Sequence, residues 1–117
     1  MQVLMVLNDP PYGTERCYNG LRLALALAKS DPAITVTVFL MADAVLAAKS
    51  GQKTPDGYSN VERMLKSVLA TRGQVLLCGT CMEARGIRDA DVMAGARRSS
   101  MAELATITAS AEKALAF

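Results

Sequence analysis

The stretch QVLLCGTC, residues 74–81, predicts a buried β-strand that ends at a pair of cysteines. Gln74 to Cys78 is apolar after its first residue, and a short continuous apolar run is typical of a strand that is covered on both faces. Two other runs, Gln2 to Leu7 and Ile34 to Met41, have the same character and are rich in Val, Leu and β-branched residues. The sequence therefore predicts three buried strands.

Helical patterns separate these strands. Apolar residues recur every three or four positions from Glu15 to Ala28, and Asp43 to Lys49 can form a brief helix. Asn60 is a suitable N-cap for a further helix, which Arg72 and Gly73 would close. Strands separated by helices need crossover connections, so we expect a mostly parallel sheet in a three-layer α/β/α sandwich. All 117 residues are expected in this single domain.

The sequence after Cys78 is less regular, and no element is predicted up to Gly95. Ser100 and Glu103 form a capping box at the start of a final helix. The spacing of this helix predicts four inward residues, which are Met101, Leu104, Ala105 and Thr108. A last short strand is predicted at residues 114–117.

One segment has the composition of a flexible loop. Residues 50–59 combine Gly, Pro, Lys and Asp and contain few apolar side chains that could anchor them. Because the loop follows the end of strand two, we expect it to be mobile and to lie near Cys78 as a lid.

The charge pattern argues against nucleic-acid and membrane partners. The 13 basic and 11 acidic residues are mixed along the chain, with only Arg97 and Arg98 as a basic doublet. The longest apolar stretch, residues 34–48, contains Asp43 and is too short to span a bilayer. The N-terminal residues lack a basic leader, so we expect a cytoplasmic protein with reduced cysteines.

The hydrophobic content is high for one small domain, at 51% with a mean hydropathy of +0.22. The helix at residues 15–28 has a second apolar face that contains Leu23 and Leu27. A helix that is apolar on two sides usually contacts both a sheet and another helix or subunit. We therefore expect a homo-oligomer.

The turns after strands one and three should meet at one edge of the sheet. Ligands of parallel α/β sheets bind beyond the carboxyl ends of the strands, so we expect one pocket that contains residues from both turns. Its candidate residues are Asn8, Tyr12, Gly13, Gly79, Thr80 and Gly86. Neither turn has the spacing of a phosphate-binding loop.

The cysteine pair Cys78 and Cys81 allows several kinds of chemistry. A self-contained structural zinc site is disfavoured, because it needs four ligands and the chain has no His and only Cys17 as a further cysteine. A second interpretation is that the two cysteines form a thioredoxin-like redox dithiol. The proline loop that faces the active pair in that fold has no counterpart here, since the last proline is Pro55.

Nucleophilic or sulfur-carrier chemistry at Cys78 is a further interpretation. It needs a thiolate stabilised by positive charge or by backbone amides, and Arg85 and the amides after Cys78 can supply both. In the simplest alternative, Cys78 is a small buried side chain and Arg85 pairs with Glu83 or Asp89. Cys17 lies on the inward stripe of its helix and is expected in the core.

Five segments together resemble the DsrE/DsrF-like family, in particular its YchN-like members, over the whole chain. They are NDPPYGTERCYNGLRLALAL (8–27), VTVFLMADAV (36–45), GQKTPDGY (51–58), VLLCGTCMEARGI (75–87) and SMAELATITASAEKALAF (100–117). A PYG turn, an FLM-D junction and a C-x-x-C segment followed by RGI rarely occur in this order by chance.

The resemblance implies a five-stranded parallel α/β/α fold and a homohexamer. It also implies that a cysteine ahead of an R-G-I element carries persulfide sulfur, which corresponds to Cys78 with Arg85, Gly86 and Ile87. Sulfur donor and acceptor proteins would then be the partners, and no dissociable cofactor is expected. Cys81 belongs to the YchN-like variation.

Three functions therefore stay open. A sulfur relay through a persulfide on Cys78 is favoured. A thiol–disulfide redox protein that uses Cys78 and Cys81 is the first alternative, and a non-catalytic oligomeric binding module is the second. In the sulfur relay, Cys78 should have the lowest pKa of the three cysteines, and Cys81 can act as a resolving thiol.

Overall fold

The computed structural model describes all 117 residues and contains one sheet of five strands and four α-helices. Their order is β1 (Gln2–Leu7), α1 (Arg16–Ser30), β2 (Thr35–Leu40), α2 (Val61–Ala70), β3 (Gln74–Cys78), α3 (Gly79–Ala84), β4 (Arg97–Ser99), α4 (Met101–Ser110) and β5 (Lys113–Ala116). A 3₁₀ helix, Ala42–Ala48, follows β2. All strand pairs are parallel, and the spatial order is β4-β3-β2-β1-β5.

The helices cover both faces of the sheet. Right-handed crossovers from β1 to β2 and from β2 to β3 place α1 and α2 on the same face, where they contact each other. The connection from β4 to β5 runs back across the sheet in the opposite direction, which places α4 on the other face. The expected three-layer sandwich is confirmed. None of the helices combines the length and the apolar character that a membrane span requires.

The core packs against the central strands β1, β2 and β3. Leu7, Leu40 and Leu77 lie near the carboxyl ends of these three strands, and all are fully buried. Because buried side chains at native density have little freedom to shift, the edge of the sheet that carries the cysteines is fixed by packing.

The predicted strands and the two N-caps are confirmed, but the capping box is only half formed, because the Glu103 carboxylate binds Arg97 and the Ser99 hydroxyl and not the Ser100 N–H. The three predicted buried strands correspond to β1, β2 and β3, and the predicted last strand corresponds to β5. The Asn60 Oδ1 accepts a hydrogen bond from the Arg63 backbone N–H at 3.0 Å, and the Ser100 Oγ accepts one from the Glu103 N–H at 3.1 Å. These side chains satisfy amide groups that the first turn of each helix leaves unpaired.

The stretch with no predicted element contains α3 and reaches almost to β4. The strand β4 has only three residues, Arg97 to Ser99, and their polar side chains give no apolar signal. They form a strand because their backbone pairs with β3, in the register Leu76 with Arg97 and Cys78 with Ser99.

The predicted inward stripe of α4 is wrong. Of the four residues predicted to face inward on α4, only Leu104 is buried, and Met101 is 61% exposed. Arg72 and Gly73 follow the end of α2 as predicted, and Arg72 is the residue in the left-handed conformation, with φ of +67°. Gly73 instead allows a close approach, because a Cβ at this position would lie 2.7 Å from the Val36 carbonyl oxygen.

The mutation Leu77→Ala should lower the free energy of unfolding by about 2–5 kcal/mol, because it leaves a cavity in the core next to Cys78. Leu77→Met is the matched control, since it conserves the volume and should cost less than about 1.5 kcal/mol. Urea unfolding of both variants measures the difference. Equal losses in the two variants would contradict close packing at this end of β3.

Candidate functional site

Cys78 lies at the junction between β3 and α3. It is the last residue of β3 and the N-cap of α3, and 5% of its surface is exposed. The Cys81 backbone N–H donates to Cys78 Sγ at 3.4 Å, and the Thr80 hydroxyl oxygen is 3.2 Å from the same sulfur. Gly79 allows β4 to pass close by, because a Cβ at position 79 would lie 3.1 Å from the Ser99 carbonyl oxygen.

The three cysteines differ in acidity. Burial raises the pKa of Cys78, but hydrogen bonds from the side chains and backbone of Cys81 and Thr80 stabilise its thiolate, and the net pKa is lowered. Burial and the interaction with Cys78 raise the pKa of Cys81. Burial, together with the nearby charge of Asp9, raises the pKa of Cys17 to about 12. Cys17 is fully buried in the core, as expected.

The sulfur of Cys81 is held by the 3₁₀ helix after β2. The Ala42 N–H donates to Cys81 Sγ at 3.2 Å. Ala42 has φ of +49°, a left-handed conformation that costs a non-glycine residue roughly 1–2 kcal/mol. Such strain persists where the surrounding structure imposes it, and it is common at functional sites. Here it accompanies an amide that points at a sulfur atom.

Arg85 lies beside Cys81 and not beside Cys78. Its Nε donates to Asp43 Oδ1 at 2.8 Å, and its Nη1 donates to the Cys81 carbonyl oxygen at 3.1 Å. Burial raises the pKa of Cys81, and the Arg85 charge opposes this rise. The thiolate of Cys78 is stabilised by Cys81 and Thr80 instead. The expectation that Arg85 supports the Cys78 thiolate is therefore corrected.

Arg98 also lies beside α3, although it was not among the candidate site residues. Its guanidinium donates to the Gly79 carbonyl oxygen at 3.3 Å, to Glu83 Oε1 at 3.1 Å and to Asp89 Oδ1 at 3.0 Å. These are the two carboxylates considered as partners of Arg85, so the pairing in that alternative is wrong, although Cys78 is buried as the alternative stated. The basic doublet was visible in the sequence, but the strand β4 that carries it to α3 was not.

The two halves of the predicted pocket lie in different places. Strand β2 separates β1 from β3. Tyr12 and Gly13 line a cavity of about 360 Å³ to which no residue from Cys78 onwards contributes. The Asn8 side-chain amide is directed elsewhere and donates to the Phe117 carbonyl oxygen at 3.3 Å. The expectation of one shared pocket is therefore corrected for the single chain.

The other predicted residues, Gly79, Thr80 and Gly86, do lie around α3. Thr80 is exposed next to the Cys78 sulfur. Gly86 has φ of +65° at the end of α3, in the left-handed region that favours glycine, so its role is in the turn. No group of three or more Cys, Asp or Glu side chains is arranged to bind a metal ion.

The loop at residues 50–59 begins as an anchored segment. The buried Glu62 carboxylate accepts the backbone N–H groups of Gly51 and Gln52 at 3.1 and 2.9 Å. The Tyr12 hydroxyl donates to Gln52 Oε1 at 2.6 Å. Polar contacts replace the apolar anchors that the sequence lacks, and they lead to α2 and to the turn after β1. The lid expectation is therefore corrected for the start of the loop.

The fold and the site together define a small α/β/α domain with a dithiol at the carboxyl edge of a parallel sheet. The sequence model of the DsrE/DsrF-like family matches residues 1–117. The chain therefore belongs to the DsrE/DsrF-like family, as the resemblance of its segments indicated.

Similar proteins extend over the whole chain. Protein YchN from Escherichia coli K12 is 40% identical over 116 residues, which cover 99% of this chain and 98% of YchN. Protein MJ0989 from Methanocaldococcus jannaschii is 31% identical over 117 residues, the full length of both. The crystal structure of E. coli YchN matches with a TM-score of 0.94 over 99% of this chain and 98% of that one. The structure of MTH1491 from Methanobacterium thermoautotrophicum shares the fold, with a TM-score of 0.75 at 12% identity over 97% and 96% of the two chains.

The mutation Thr80→Val should raise the pH at which Cys78 becomes reactive. Valine keeps the branched shape but removes the hydroxyl that stabilises the Cys78 thiolate. Arg85→Ala is the matched control and should leave the Cys78 profile in place, because Arg85 contacts Cys81. Pulse alkylation at increasing pH, followed by peptide mapping, gives the profile of each cysteine.

In the unmodified protein, Cys78 should be labelled at the lowest pH and Cys17 only after unfolding. Earlier labelling of Cys81 or Cys17 would contradict the assignment of Cys78 as the reactive thiol. If Arg85→Ala shifts the Cys78 profile and Thr80→Val does not, the Thr80 hydroxyl is not the group that stabilises the Cys78 thiolate.

Proposed function

We propose that the protein carries sulfur as a persulfide on Cys78 and transfers it from a donor to an acceptor. The observation that carries this proposal is the hydrogen-bonded sulfur of Cys78, whose lowered pKa increases the fraction of reactive thiolate. Membership of the DsrE/DsrF-like family, which is linked to sulfur relay, supports the same function. The transfer would take place in the cytoplasm, where thiols stay reduced.

In the loading step, the Cys78 thiolate attacks the outer sulfur of a donor persulfide, R–S–SH. The donor S–S bond breaks, the donor leaves as the thiolate R–S⁻, and the outer sulfur with its hydrogen is bonded to Cys78. In the unloading step, an acceptor thiolate attacks this outer sulfur and Cys78 leaves as a thiolate. Each step exchanges one S–S bond for another, so neither a net oxidant nor a cofactor is required.

The groups around Cys78 support both steps. A thiol of low pKa is a better leaving group in sulfur exchange, and the Cys81 N–H and the Thr80 hydroxyl stabilise Cys78 when it leaves. The same thiolate is available to attack the donor. Since Thr80 is exposed, the approach to the sulfur passes this side chain.

A thiol–disulfide redox protein is the second candidate. It is favoured by the interaction of the Cys81 side chain with Cys78, which lowers the pKa of Cys78 against the effect of burial. In such a pair, the thiol of lower pKa attacks a substrate disulfide, and the second thiol resolves the mixed disulfide. Cys78 and Cys81 show this division of acidity.

Treatment with glutathione persulfide should add one sulfur atom to Cys78, as measured by mass spectrometry of the intact protein and its peptides. Cys78→Ser should reduce loading to background because it removes the accepting thiolate. Cys81→Ser should still accept the sulfur, and Cys17→Ser should behave as the unmodified protein.

The same variants distinguish the two candidates. Loading that requires Cys78 alone supports the persulfide carrier. A Cys78–Cys81 disulfide that forms on treatment, with equal dependence on both thiols, supports the redox protein. Sulfur that loads equally well without Cys78 would exclude both functions.

We also propose that the chain assembles as a homo-oligomer, and specifically as a hexamer. Met101, Ala102 and Ala105 leave an apolar surface of α4 exposed in the single chain. Strand β5 lies at the edge of the sheet, and all four of its residues are exposed. Exposed apolar helices and open sheet edges are surfaces that subunit contacts bury.

Light scattering at micromolar concentration should give a multiple of the 12.4 kDa chain mass. Met101→Glu should weaken the assembly, because it places a charge in an apolar contact. Ala90→Glu changes an exposed residue outside α4 and β5 and is the matched control. A monomer that persists at physiological salt would contradict the proposed assembly.

A further inference from the structure

All three tyrosines of the chain line one groove. Tyr12, Tyr18 and Tyr58 border the cavity of about 360 Å³ next to Gly13. A second cavity, of about 370 Å³, shares Tyr18 and Tyr58 and continues between α1 and α2. Cavities of this size lie at the lower end of the range that holds small ligands. We call the two cavities together the tyrosine groove.

The two ends of the tyrosine groove differ in charge. At the end next to Gly13, Glu15 is the only charged lining residue. The opposite end is lined by Arg22 and Arg63 and contains no carboxylate. Neither guanidinium forms an ion pair within the chain. Arg22 donates to the neutral Asn19 Oδ1 at 3.1 Å, so both positive charges at this end lack a counter-charge and can attract an anionic group.

The aromatic walls of the groove differ in how firmly they are held. The Tyr12 hydroxyl donates to Gln52 Oε1 at 2.6 Å and accepts the Val61 N–H at 3.1 Å, which fixes one wall. The Arg22 guanidinium carbon lies 5.5 Å from the centre of the Tyr18 ring. Tyr58 is 74% exposed, so its ring is free to cover a flat ligand.

We propose that the tyrosine groove binds a nucleoside monophosphate. The base stacks on Tyr18 and Tyr58, since every base presents a π-face to aromatic side chains. The phosphate is bound by Arg22 and Arg63, whose planar guanidinium groups match phosphate oxygens. A phosphate dianion uses both charges, whereas a single carboxylate would leave one guanidinium without a counter-charge. Glu15 then lies at the base end, where amino groups of the base can donate to it.

This site is separate from the proposed sulfur chemistry. Neither Cys78 nor Cys81 lines either cavity of the groove. Nucleotide binding can therefore fail while sulfur loading succeeds, and the reverse also holds. The two inferences are tested by different ligands and different variants.

Titration of the full-length protein with AMP, GMP, CMP and UMP by calorimetry tests the proposal. At least one monophosphate should bind, and its nucleoside and inorganic phosphate alone should bind at least about tenfold more weakly, because each occupies only half of the groove. The chain contains three Tyr and no Trp, so tyrosine fluorescence reports directly on the groove. Binding should change this fluorescence.

Variants locate the bound nucleotide. Tyr58→Ala and Arg63→Ala should each weaken binding by about tenfold or more, because they remove a stacking surface and a phosphate contact. Both residues are exposed, so the fold should tolerate the changes. Arg88→Ala removes an arginine that pairs with Asp91, does not line the groove and should leave binding unchanged.

Three results would overturn the proposal. The first is the absence of binding by all four monophosphates at millimolar concentration. The second is binding that Tyr58→Ala and Arg63→Ala do not weaken, since the ligand would then occupy another place. The third is a change of oligomeric state by Tyr58→Ala without an effect on nucleotide affinity, which would assign the groove to a subunit contact.

Discussion

The parallel register between β2 and β3 is the constraint on which the dithiol depends. Leu40 pairs with Leu77, so the two strands end at the same level and the chain leaves the sheet at both places side by side. This arrangement brings the Ala42 N–H to the Cys81 sulfur. A slip of one residue would move every side chain of β3 to the opposite face of the sheet and would separate the two groups.

The two cysteines are chemically unequal although only two residues separate them. Cys78 is the N-cap of α3. Its sulfur accepts a hydrogen bond from the Cys81 N–H and is also hydrogen-bonded to the Thr80 hydroxyl. The sulfur of Cys81 accepts a hydrogen bond from the Ala42 N–H. The pKa of Cys81 is raised by burial and by the neighbouring Cys78. The lowered pKa of Cys78 and the raised pKa of Cys81 mean that the first proton to leave the pair is favoured to leave from Cys78. Local backbone geometry, and not the sequence motif alone, therefore makes the two thiols unequal in acidity.

Much of the fold could be predicted from the sequence because its signals are local. Apolar runs define β1, β2 and β3. Asn60 and Ser100 cap their helices, and such a cap needs only one side chain and the backbone of the next turn. The partner of Arg85 could not be predicted, because Asp43 lies 42 residues away and reaches it only through the strand register. The same reason applies to β4, which exists through pairing with β3. The prediction of the inward residues of α4 was wrong because the alanines of this helix do not define one clear apolar face.

The distribution of arginines separates the dithiol from the tyrosine groove. Arg85 and Arg98, which lie around α3, are both paired with carboxylates, so neither is free to bind an anion. The thiolate of Cys78 is stabilised by hydrogen bonds, which act only at short range. In the proposed transfer, the sulfur atom of the donor must likewise come into direct contact with Cys78. Arg22 and Arg63 are unpaired, and their charges act over a Debye length of about 8 Å at physiological salt. The proposed anion binding by charge and the proposed sulfur exchange by contact therefore use different parts of the same fold.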